Sequence, residues 1–134
     1  MLPITAVDLR LFLHVLAATV WVGGQIVLVA LVPALRGAGA DVPRLAARRF
    51  ALVAWPAFGV LIATGIWNLL EISLGDTSSR YQTTLAIKLG VVALSGVAAF
   101  VHGQARRPVS LAIWGALSLV SALAALFLGV VLRG

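Results

Sequence analysis

Charged residues cut the chain into four long apolar runs: 11 to 35 between Arg10 and Arg36, 50 to 70 between Arg49 and Glu71, 81 to 105 between Arg80 and Arg106, and 108 to 132 between Arg107 and Arg133. Each reaches the roughly 20 residues that a helix needs to cross the hydrocarbon of a bilayer. Only the third run holds a formal charge, Lys88. The runs and their flanks predict helices over about 9–35, 44–72, 81–103 and 109–132. The first run exceeds the roughly 7 to 15 apolar residues of a signal-peptide core and comes after Asp8 as well as Arg10, so a retained helix is expected.

The links have the composition of turns. Gly37, Gly39 and Pro43 break the first, with Asp41 placed to cap the next helix. Gly75 to Ser79 form the second and Gly103 to Pro108 the third. Short links make consecutive helices antiparallel. The expected fold is therefore all-α, a four-helix transmembrane up-and-down bundle forming a single integral membrane domain over 1–134. Gly23, Gly24, Gly59, Gly65, Gly90, Gly96 and Gly115, with many alanines, are the small residues that let helices approach closely in lipid. Pro56 can kink the second helix or sit without consequence near its end.

Composition supports the membrane reading. Hydrophobic residues make up 62% of 134 and charged residues 10%, with a mean hydropathy of +1.11. A soluble domain of this size could not bury so much apolar surface. The net charge of +6 comes from nine arginines and one lysine, and the arginines flank the apolar runs. That placement sets topology and does not point to nucleic acid, so the lipid bilayer is the partner expected. The first link carries Arg36, Arg44, Arg48 and Arg49 and the third Arg106 and Arg107; the opposite side has Arg10, Arg80 and Arg133, offset by Asp8, Glu71 and Asp76. Both basic links are expected in the cytoplasm and both termini outside.

Helical projection gathers the polar positions into stripes. His14, Ala18, Trp21 and Gln25 share one face of the first helix; Thr64, Asn68 and Glu71 share one of the second. Thr84, Lys88, Ser95 and His102 line the third, and Ser110, Trp114 and Ser121 the fourth. Polar groups facing lipid would go unsatisfied, so the stripes should face inward. With about 1.5 Å of rise per residue, His14 lies roughly 6 Å below the outer end of its run and Lys88 roughly 10 Å. Asn68, Glu71 and Thr84 belong to the same outer layer. His102 ends its helix on the cytoplasmic side, roughly 20 Å in height from His14, so the two should not ligate one haem or one metal ion.

Each of these residues has two readings. His14 serves either as a hydrogen-bonding core residue or as a metal, haem or proton-transfer group; Lys88 either snorkels to the headgroups or binds a cofactor. His102, beside Arg106 and Arg107, is either interfacial or a secondary site. Trp21 and Trp67 read as packing or interface anchors, Trp55 and Trp114 as aromatics of the inner belt. No nucleophile–base pair, zinc-ligand spacing or phosphate-cradling loop is present, so no catalytic residue can be named and the sequence leans away from an enzyme. There is no cysteine and Met1 is the sole methionine, which leaves few soft ligands for copper(I).

At these residues the chain resembles the copper-resistance D family of bacterial membrane proteins. The first helix carries Leu13, His14, Val15, Leu16, Ala17 and Ala18, then Trp21, Val22, Gly23 and Gly24; the second has Thr64, Gly65 and Ile66 before Trp67 and Asn68; the third opens on Tyr81, Thr84, Leu85, Lys88 and Leu89. The resemblance covers nearly the whole chain and implies a core unit of that family in the bacterial plasma membrane, handling or transporting copper through an outer-leaflet polar site. More distantly, the histidine in the first helix and lysine in the third are similar to the small four-helix haem-dependent protoporphyrinogen oxidases. In that family's place for an aromatic and histidine-rich continuation, this chain has Val32, Pro33, Ala34, Leu35 and Arg36. This likeness implies haem b, with His14 as axial ligand and Lys88 on a propionate or as sixth ligand. Copper would require further donors, which a homodimer pairing two His14 side chains, or Met1 acting with the N-terminal amine, would supply in part. A third reading is a structural or accessory subunit without chemistry.

Overall fold

The computed structural model describes residues 1–134. It is all-helical, with four helices long and apolar enough to cross a membrane: α1 (Ala6–Ala38), α2 (Val42–Glu71), α3 (Ser79–Gln104) and α4 (Pro108–Arg133). These are the four helices expected, with ends displaced by a few residues. α1 starts at Ala6 because Thr5 and Asp8 close a capping box: Asp8 N–H donates to Thr5 Oγ1 at 3.3 Å, and Thr5 N–H donates to Asp8 Oδ2 at 2.8 Å. It runs through Gly37 and stops at Gly39, whose φ of 155° is a backbone conformation closed to residues with a Cβ.

Asp41 occupies the cap position of α2, yet its side chain makes no capping hydrogen bond. Two local facts explain this. Its φ and ψ of −91° and −9° are already helical rather than extended, and Pro43 has no N–H to offer. α2 continues as one helix through Pro56. Ser78 caps α3 as a cap should, accepting from Tyr81 N–H at 3.1 Å, while Gln82 Nε2 donates to Leu74 O at 2.8 Å and ties the short 3₁₀ turn Leu74–Asp76 to it.

Chain contacts divide the molecule into two compact units, Met1–Ile72 and Ser73–Gly134. In the first, paired positions descend along α1 as they ascend along α2. Arg10 meets Glu71, His14 meets Thr64, Trp21 meets Phe58 and Trp55, and Gly24 meets Phe50, so the helices are antiparallel. Trp21 anchors the pair. It is 4% exposed, its ring lying 4.5 Å from Phe58 and 5.3 Å from Trp55, the latter edge to face.

Within α1 the residues Thr19–Gly23 form a π-helical turn. A turn bonded i to i+5 rotates the remainder of the helix relative to a straight α-helix and disturbs the carbonyl ladder. Side chains compensate: Thr19 Oγ1 donates to Val15 O at 2.8 Å, and Gln25 Nε2 to Trp21 O at 2.9 Å. The face toward α2 includes both Trp21 and Gly24, where a Cβ would collide with the Phe50 ring. The residues of the expected stripe, His14, Ala18, Trp21 and Gln25, are each buried or half-buried, with the π-helical turn falling between Ala18 and Gln25.

The second unit is the hairpin of α3 and α4. Ser95 Oγ donates to Ser118 O at 2.9 Å and Ser118 Oγ donates to Ser95 O at 3.1 Å, a reciprocal bridge in which both serines are buried. Around it the contact is made of small residues, Gly96, Ala98, Ser121, Ala122 and Ala125. Close approach of backbones through small side chains is how helices associate without a hydrophobic gain between them. Burial obeys the same logic in both units. Alanine, serine and threonine are inside, while Phe12, Phe100 and Phe127 are 60% exposed or more, as in helices whose outer surface is solvated by lipid.

Candidate functional site

The first unit brings His14 against Thr64. Register does this: with Trp21 fitted between Trp55 and Phe58, antiparallel α1 carries His14, two turns earlier, to the level of Thr64. His14 Nδ1 lies 2.7 Å from Thr64 Oγ1. The threonine is buried and its hydroxyl proton is directed back along its own helix, to Val60 O at 2.7 Å with Leu61 O at 3.2 Å. A hydroxyl has one proton, so toward His14 it accepts. In the tautomer that matches this arrangement the imidazole proton is on Nδ1 and Nε2 carries the lone pair. That is the tautomer and the kind of support found behind histidines that bind metal.

One turn before His14 on the same face, roughly 6 Å away along the axis, stands Arg10. Its side chain is 12% exposed, its guanidinium carbon lies 5.7 Å from the Trp67 ring centre, and Glu71 Oε2 is 4.0 Å from Nη1. Arg10 Nε is buried with no hydrogen-bond partner. Glu71 is 58% exposed at the end of α2, so this ion pair is long and wet and contributes little. In the sequence Arg10 is legible only as a topological charge. The signal for more is its i, i+4 spacing from His14, which in an antiparallel pair aligns it with Asn68 and Glu71, one to two turns past Thr64.

Asn68, another of the expected site residues, is half-buried on α2, one turn after Thr64. In the second unit Thr84 is half-buried and donates its hydroxyl to Arg80 O at 2.9 Å within its own helix. Lys88 is half-buried with Nζ beside Gly129, where a Cβ would lie 3.2 Å from the nitrogen. The pairings of Ser95 with Ser118 and of His102 with Leu111 set a register that puts Ala125 opposite Lys88. Its ammonium thus leans one turn toward the Ser79 and Arg133 ends, the direction in which a lysine snorkels. Gly129 makes room for it. His102 Nδ1 lies 2.8 Å from Leu111 O, an acceptor only, so this ring too is protonated on Nδ1. Its ring packs on Gly115, where a Cβ would lie 3.0 Å from Nδ1.

No group of three or more His, Asp or Glu side chains is gathered closely enough to hold a metal ion. No protein-family model matches the chain, and no match was found among curated proteins or solved structures.

Proposed function

We propose that this chain is a membrane protein of the copper-resistance D type, in the bacterial plasma membrane with both termini outside, and that its chemistry is centred on His14 as the ligand of haem b. One observation carries the choice of residue: His14 Nδ1 lies 2.7 Å from Thr64 Oγ1, and in the tautomer that donates there the lone pair is on Nε2. A single imidazole is a sufficient protein ligand for haem. A copper(I) site needs more donors, and this chain has two histidines, one methionine and no cysteine. The buried, unpartnered Nε–H of Arg10 one turn away fits a group that carries acid substituents.

Haem held there would supply one-electron chemistry inside an apolar medium. The chain's own part is to fix the imidazole through Thr64 on the paired face of α1 and α2. The test is made on protein purified in detergent, by absorption and by elemental analysis. A Soret band with iron in the wild type, both lost in His14→Ala, supports the reading. Copper in place of iron, lost in the same variant, would replace it with a copper site shared by two copies; neither metal would leave an accessory subunit. Orientation is checked separately by a reporter fused after Gly134, active outside if the termini are external and active inside if the assignment is reversed.

A further inference from the structure

We infer that Arg10 is the anchor for a carboxylate of the ligand held at His14, with Glu71 as the counter-ion that the carboxylate displaces; this rests on the haem reading above. Four observations converge on it. Arg10 is the one charged side chain drawn into the helix pair beside His14, only 12% exposed, and its planar guanidinium faces Trp67. Burying an arginine without a matched partner is costly, because each N–H gives up water. Glu71 does not repay that cost: at 4.0 Å from Nη1 it is beyond hydrogen-bond distance, and Nε is left with no acceptor at all.

A carboxylate binds guanidinium best side-on, taking Nε–H and one Nη–H together. The group that satisfies Arg10 is thus a carboxylate other than the distant Glu71. The spacing suits it. Arg10 and His14 lie on one face of α1, roughly 6 Å apart along the axis, so a single ligand can meet an imidazole with its metal and a guanidinium with its acid arm. Glu71, 58% exposed, then swings into solvent.

The test is a titration of the full chain in detergent with two probes that differ only in the acid groups, haemin and haemin dimethyl ester, monitored by the Soret band. Charged hydrogen bonds of this kind change affinity by about tenfold to a hundredfold. The wild type should prefer haemin by such a factor, and Arg10→Gln should bind both probes equally, at the wild-type affinity for the ester. Arg10→Lys, which keeps the charge but not the fork, should regain only part of the preference. Equal binding of both probes by the wild type would overturn the inference while leaving the His14 reading intact, and it needs no variant to fold. A preference that persists in Arg10→Gln would overturn it as well. A wild type that binds neither probe would overturn the haem reading and this inference together.

Discussion

Replacing Thr64 by valine tests whether the threonine holds the imidazole or merely fills space. The two side chains are nearly the same shape, so packing at this buried, 4% exposed position is kept while the hydroxyl is lost. Its donation to Val60 O within the helix is dispensable, because that carbonyl also belongs to the backbone ladder. What changes is His14. Its Nδ1 loses the partner 2.7 Å away that fixes the ring's orientation. Without that support the ring should bind its metal roughly tenfold to a hundredfold more weakly, the range found when such supporting partners are removed. The assay is haemin titration of wild type, Thr64→Val and Thr64→Ser, with unfolding measured in parallel. Thr64→Ser keeps the hydroxyl and should bind nearly as the wild type does. Equal affinity in all three proteins would refute the claim that this hydrogen bond orients the ligand.

Two further predictions concern the helix pairs. Gly24→Leu forces a side chain against the Phe50 ring and should destabilise the first unit by about 1–3 kcal/mol, seen as a lower midpoint of unfolding in mixed micelles; an unchanged midpoint would mean that α1 and α2 do not approach there. Ser95→Ala and Ser118→Ala each remove one side-chain-to-backbone bond and should each lower stability by about 0.6 kcal/mol, the usual size for hydrogen bonds between membrane helices, the two losses adding in the double variant; no loss in either variant would argue against the bridge.

The four helices are legible in the sequence because arginines punctuate the apolar runs, and lipid permits no irregular backbone between them. Their ends are less so. Hydropathy fades gradually, whereas the boundaries depend on single residues, the Thr5 and Asp8 box at one end of α1 and the left-handed Gly39 at the other. Projection at a constant angle identifies His14, Trp21 and Thr64 as inward-facing, but nothing in the residues Thr19–Gly23 announces a π-helical turn. The partnership of His14 with Thr64 lies outside either helix's own periodicity. It depends on how α1 slides along α2, which is decided where Trp21 enters between Trp55 and Phe58 and where Gly24 clears Phe50. Arg10 is hidden for a related reason: a charge at the end of an apolar run ordinarily marks topology, and only the register shows it drawn in beside Trp67.

The central claim is that His14 is itself the protein ligand, and chemical rescue tests it most directly. His14→Gly removes the imidazole and leaves a space of its size on α1 beside Thr64. Titrated with haemin, this variant should lack the wild-type Soret band and regain it when free imidazole is added, because the small molecule can occupy the same position and donate its lone pair to the iron. A His14→Gly protein whose Soret band equals that of the wild type without imidazole would contradict the account.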